Sequence, residues 1–205
     1  MNAKRLIVTF VFAIVLIGFF IWIISAAVDN LARNNRIWKE KAQDVTAAVE
    51  TLNNKQYDIM YYGADIEAPQ SLRARKIVDF ETASLAGPED NPEHVGHILI
   101  LNDLAGDLPM TDEQWTKVQN LMRYDGYILI YFGSDKLPLM QEKGFFFDVY
   151  SRNTRSIIFW DNGRQCEPGF ADNPFIIPEV VRQQSDETQL KIYAAIMKLS
   201  EGAYI

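Results

Sequence analysis

The apolar pattern of the chain begins with Leu6 to Val28, a run of 23 residues without a charge. A hydrocarbon core about 30 Å thick takes roughly 20 helical residues to cross. The run therefore predicts a transmembrane helix, with residues 1–5 as a short tail ahead of it. Lys4 and Arg5 before the run, and Ser25-Ala26-Ala27 near its end, also fit a cleavable signal peptide. The apolar region of a signal is about 7–15 residues long, and this longer run favours an uncleaved anchor. Arg33, Arg36, Lys39 and Lys41 come soon after the run and, counted alone, pull the C-terminal side toward the cytoplasm. A short basic tail before a long apolar run is instead the layout of a signal-anchor that exports the C-terminal part of its chain. The expectation is a single-pass membrane protein with its domain outside the cytoplasm.

The period of the pattern then changes. Asp29 to Gln56 contains neither Gly nor Pro, and Trp38, Ala42, Val45, Val49 and Leu52 recur at spacings of 4, 3, 4 and 3. This a/d stripe over about two heptads predicts a helical stalk across residues 29–56. Its apolar face would pair with a second copy of the chain, or lie on the adjoining domain as an ordinary amphipathic helix.

From residue 57 to 205, strands and helices alternate. Tyr57–Tyr62 predicts a first strand, and Lys76–Phe80 a shorter second one. Thr82–Glu93, with Gly87, Pro88 and Pro92, reads as a loop. His97–Leu101 is nearly continuously apolar, as in a strand covered on both faces of a parallel sheet. Thr111 predicts a helix N-cap, with Asp112 and Glu113 in the first turn and Gln114 completing a capping box. Trp115, Val118, Leu121 and Met122 give that helix its apolar face, and Asp125-Gly126 ends it. Tyr127–Phe132 is a further buried strand, which completes a βαβ unit. Phe145–Tyr150 and Arg155–Trp160 flank Ser-Arg-Asn-Thr and predict a hairpin at one sheet edge. Cys166–Pro178 reads as irregular. Ser185 predicts the cap of a last helix that buries Leu190, Tyr193, Ile196 and Met197. The fold class is α/β: a three-layer αβα, mainly parallel, flavodoxin-like domain with an antiparallel edge hairpin.

Four segments carry a resemblance. Ile98–Asp103 is an apolar strand ending in Asn-Asp, Leu108–Gln114 contains a Thr-Asp-Glu-Gln helix start, Asp125-Gly126 is a turn, and Tyr127–Gly133 is a second apolar strand. Over His97–Asp135 the chain resembles the class I glutamine-amidotransferase-like superfamily. It is similar in particular to its non-catalytic, membrane-associated branches, including auxiliary domains of gliding-type ABC transport components. The resemblance implies the fold and argues against the chemistry. Catalytic members place a Cys nucleophile just after the equivalent of Tyr127–Phe132, where this chain has Gly133-Ser134-Asp135. The His-x-Glu pair of their triad is also missing, since the histidines are His94 and His97.

Composition narrows the function classes. The net charge is −7, and it is more acidic still once Lys4 and Arg5 are set aside. No basic stripe interleaved with aromatics occurs, which excludes a nucleic-acid partner. Cys166 is the single cysteine, so the chain has no intrachain disulfide and no thiolate cage. Ligands of open parallel sheets sit beyond the carboxyl ends of the strands. Those ends supply Tyr62, Gly63 and Asp65, then Asn102 and Asp103, then Gly133, Ser134 and Asp135, with Trp160 and Asp161 further along. Tyr62, Asp65, Asn102, Asp103, Ser134 and Asp135 are the candidate ligand cleft, and its carboxylates have the chemistry for a hard cation. The same residue types gather at strand ends to make turns and helix caps, which is the simpler account of them. Phe-Gly-Ser-Asp-Lys around Ser134 departs from the Gly-x-Ser-x-Gly elbow at its last position, and Cys166 lacks a CxxC partner. No phosphate-cradling loop or metal motif is present, and no cofactor is expected.

These features point to a membrane-anchored, non-catalytic binding or scaffold subunit of an envelope or membrane-protein complex, with other membrane proteins as partners. The alternatives are a hydrolase or amidotransferase-like enzyme at the strand ends, and an extracytoplasmic ligand sensor.

Overall fold

The computed structural model describes residues 45–205, apart from 56, 70, 82–95, 174–176, 178, 203 and 205. The run Leu6–Val28, Trp38, Ala42 and the loop Thr82–Glu93 lie outside the described residues. Among those described, no helix is long and apolar enough to cross a membrane.

Six strands form one sheet in the order β2-β1-β3-β4-β5-β6. They are β1 (Tyr57–Gly63), β2 (Ala74–Lys76), β3 (Gly96–Asn102), β4 (Ile128–Phe132), β5 (Ser156–Trp160) and β6 (Gln165–Pro168). The first four are parallel, β5 is antiparallel to β4, and β6 is antiparallel to β5. The mainly parallel sheet with an antiparallel edge is thus the architecture expected from the pattern. Its centre explains the continuous apolar runs, because alternate residues of β3 enter different cores. Ile98 and Ile100 pack with helix α1 (45–54) and helix α5 (Glu187–Ser200). Leu99 and Leu101 pack with helix α2 (Asp112–Tyr124) and the short helix α3 (Leu137–Glu142). A further short helix, α4 (Glu179–Gln184), precedes α5.

Helix α2 forms as its sequence predicts. The Gln114 amide donates to Thr111 Oγ1 at 3.3 Å, and the Thr111 amide donates to Gln114 Oε1 at 2.8 Å. This reciprocal cap satisfies two donors that a helix start otherwise leaves open. Trp115, Val118, Leu121 and Met122 are all buried.

Several expectations need correction. Helix α1 is part of a layer of the domain: Val49 and Leu52 are buried with the sheet and α5, and Val45 is buried too. Of the two readings of the heptad stripe, the described part fits the amphipathic one, and the α/β unit begins before residue 57. The second strand lies earlier than Lys76–Phe80. Only Lys76 of that run is in β2; Ile77 follows it, buried, with its amide donating to the Tyr61 carbonyl at 2.9 Å, and Phe80 is buried at the bend of residues 78–80.

The edge hairpin exists but pairs different segments. Phe145–Tyr150 is not a strand. Phe145 and Phe146 fold over β5, with ring centroids 6.2 and 5.9 Å from Phe159, while Phe147 and Val149 are exposed. Strand β5 turns instead into β6, part of the stretch Cys166–Pro178 expected to be irregular. The turn runs through Asp161, Asn162 and Gly163, with φ of 51°, 53° and 73°. Asn and Gly tolerate this left-handed region, which makes Asp-Asn-Gly the stronger turn signal.

In α5 the N-cap is Asp186, not Ser185, again with a capping box to Gln189. Ile196 is buried as expected, but Leu190, Tyr193 and Met197 are only half-buried. Ile192, Ala194, Ala195 and Leu199 fill the core with it. The face is rotated because Lys191 turns inward to pair with Asp172.

Candidate functional site

The loops after β1, β3 and β4 meet at the carboxyl edge of the sheet. Asn102 and Asp103 are both 1% exposed and both serve those loops. Asn102 Nδ2 donates to the carbonyls of Ala64 at 3.1 Å and Asp65 at 3.3 Å, tying the β1 loop to β3. Asp103 Oδ1 accepts the Leu108 amide at 2.8 Å, and Oδ2 accepts the Tyr131 hydroxyl at 2.7 Å. The same hydroxyl accepts the Lys136 amide at 3.0 Å, so one tyrosine bridges the loops after β3 and β4. Burial, then the adjacent Asp103 carboxylate, pushes the Tyr131 phenol far above its ordinary pKa and keeps it a donor.

Ser134 and Asp135 are exposed on the turn after β4. Ser134 Oγ donates to Asp135 Oδ1 at 3.1 Å. Gly133 makes that turn possible: its φ is +139°, and a Cβ there would lie 2.6 Å from the Asp103 carbonyl oxygen. Among the described residues, no imidazole serves Ser134. His97, 3% exposed, starts β3 opposite Asp58 of β1, at the other end of both strands. There its Nδ1 is 3.6 Å from Asp58 Oδ2, and its ring stacks on Tyr127 with centroids 4.8 Å apart. The Arg75 guanidinium closes a 3.0 Å ion pair on the same Asp58 carboxylate. His97 and Arg75 hold the Asp58 carboxyl well below the usual carboxylate range, against the opposing push of burial.

Cys166 is half-buried on β6, with Sγ 3.1 Å from Asp148 Oδ2. Burial and that carboxylate push its thiol up to about 12, the reverse of what a reactive thiolate needs. Trp160 and Asp161 sit at the β5–β6 turn, away from the other candidates along the strand register.

Of the six candidate residues, Tyr62 alone lines a cleft of about 380 Å³ at this edge. Gly63, Ala64, Lys76, Ile77, Val78, Asp107 and Pro109 complete the lining. Tyr62 packs on Phe80, with centroids 4.7 Å apart, and its hydroxyl donates to the Pro109 carbonyl at 3.2 Å. Asp65 stands beside the cleft, paired with Lys76 at 2.5 Å. Pattern reading missed Lys76 as a strand end because β2 was placed late. It missed Asp107 because that residue lies beyond the end of β3; Leu108-Pro109 just ahead of the Thr111 cap was the available signal.

A second polar cluster, also missed, joins β5 to α5. Ser156 Oγ donates to Asp172 Oδ1 at 2.8 Å and accepts the Ala171 amide at 3.0 Å, while Lys191 pairs with the same carboxylate. Ser156 is wholly buried, so the cluster pins the 169–172 loop to the sheet. Among the described residues, no group of three His, Cys, Asp or Glu side chains could hold a metal ion.

No family model, curated protein or solved structure matches the chain. The functional reading therefore rests on the sequence and on this geometry alone.

Proposed function

We propose that the protein is a membrane-anchored subunit whose α/β domain works by binding, as a scaffold or accessory component of an envelope or membrane-protein complex. One observation carries the reading. The polar groups that looked most like a strand-end active site, Asn102 and Asp103, are buried and spent on holding loops together. Of the candidates left exposed at the edge, Ser134 and Asp135 bond to each other and Asp65 pairs with Lys76. The apolar run Leu6–Val28 supports the anchor, and we propose that it is uncleaved, with the domain outside the cytoplasm.

We also propose that the domain is a non-catalytic variant of the class I glutamine-amidotransferase-like fold. The parallel β1, β3 and β4, and a tight glycine turn after β4 that carries Ser134 in place of a cysteine, support this.

Crosslinking in intact cells, and then detergent extraction of the full-length protein, tests the binding role. Discrete adducts with membrane proteins, lost when residues 6–28 are deleted, are the expected outcome. Recovery of the uncrosslinked monomer alone contradicts it.

A further inference from the structure

The cleft beside Tyr62 lies where the connectivity of the sheet reverses. The chain steps from β1 to β2 on one side, then passes to β3 on the other side of β1. At such a switch point the loops leave in opposite directions and open a crevice above the carboxyl ends of the strands. The crevice here holds about 380 Å³, within the roughly 300–1,000 Å³ range of small-molecule sites, and opens broadly to solvent.

Its walls divide into three kinds of surface. Tyr62, Ile77, Val78 and Pro109 are apolar or aromatic, and Val78 is 81% exposed at the mouth. Lys76 contributes an ammonium, whose partner is the exposed Asp65 carboxylate on the rim. Asp107 contributes a carboxylate that is exposed and has no ion pair or side-chain hydrogen bond among the described residues. A simple anion would meet Asp107 unfavourably, and a simple cation would engage Asp107 but make no use of Lys76. A molecule with both signs of charge satisfies both walls.

We infer that this cleft binds a small zwitterion with an apolar body, its carboxylate on Lys76, its ammonium on Asp107, and its apolar part over Tyr62, Ile77 and Val78. Asp65 holds Lys76 in place while the site is empty, and the ligand's carboxylate takes over that ammonium. Gly63 at the floor lets the end of β1 approach β3 closely, since a Cβ there would lie 2.6 Å from Leu108 Cδ1. This goes beyond the scaffold reading and does not depend on it, because a partner protein would not need a small-molecule cleft.

Equilibrium dialysis on the full-length protein in mild detergent tests the inference, with L-phenylalanine as the zwitterionic probe. Phenethylamine and hydrocinnamate carry the same ring with only one of the two charges. Saturable binding of phenylalanine is expected, with each analogue at least about tenfold weaker, the scale of one lost charge-assisted hydrogen bond. Lys76→Met and Asp107→Asn should each weaken phenylalanine by a similar factor. Lys76→Met should not weaken phenethylamine, and Asp107→Asn should not weaken hydrocinnamate. Both substitutions are at the surface, and an unchanged unfolding midpoint shows that the fold is kept. Absence of saturable phenylalanine binding overturns the inference. So does an analogue that binds as tightly as the zwitterion, or binding indifferent to both substitutions.

Discussion

Asp103, the residue after β3, accepts a 2.7 Å hydrogen bond from the Tyr131 hydroxyl of β4, and neither side chain reaches solvent. The pair fastens two adjacent loops at the edge where parallel sheets bind ligands. It also decides how that edge is read, because a carboxylate so occupied is part of the frame. Tyr131→Phe would leave Asp103 Oδ2 and the Lys136 amide without this partner. A buried group left unsatisfied costs about 1–3 kcal/mol. Urea unfolding of the variant should show that loss as a lower midpoint at unchanged slope. An unchanged midpoint would mean that the hydroxyl does not brace the loops.

Asp58 supplies a pH test. His97 and Arg75 depress its carboxyl below the ordinary value of 3.8. A group with a depressed folded pKa stabilises above its unfolded pKa, and this contribution is lost as pH falls through the folded value. Thermal midpoints should therefore drop more steeply below about pH 4 in the native protein than in Asp58→Asn, which has no carboxylate to protonate there. Parallel curves for the two proteins would remove Asp58 from the acid response.

The fate of α1 is equally testable. Leu52 is 1% exposed and packs with Ile59, Ile98 and Ile196. Leu52→Ala should cost about 2–5 kcal/mol by leaving a cavity in that core. A chain trimmed to begin after Lys55 should fail to give a cooperative unfolding transition, since part of the layer that α1 shares with α5 would be gone. Normal folding of the trimmed chain would restore α1 to the role of a stalk.

These contacts explain which elements were legible in the sequence. Helix α2 was readable to its cap because Thr111, Gln114 and the apolar stripe are all local. Strands β3 and β4 were readable because burial on both faces leaves a continuous apolar run. The hairpin was misassigned because three consecutive phenylalanines at 145–147 suggest a strand, yet only two of them are buried. The rotated face of α5 depends on Lys191 meeting Asp172, a partner 19 residues away that no helical period encodes. For the same reason, Asn102 and Asp103 were legible as strand-end polar residues but not as loop ties. Their partners, Ala64, Leu108 and Tyr131, are defined only once the strands are in register.

Cys166 offers a check on the chemistry. With its thiol pushed up to about 12 by burial and by Asp148, it is almost entirely protonated at neutral pH. Alkylation by iodoacetamide at pH 8 should be far slower than for a free thiol, whose ordinary pKa is about 8.5. Asp148→Asn, which removes the neighbouring charge, should speed it. Rapid alkylation of the native protein would reopen the thiol as a reactive group.

The proposed binding role stands or falls on the proteins that accompany this one. Full-length protein isolated in mild detergent should carry one or more membrane proteins at fixed stoichiometry by quantitative mass spectrometry. The form lacking residues 6–28, isolated in parallel, should lose them. Full-length protein that emerges alone, at the mass of its own chain in detergent, would contradict the account.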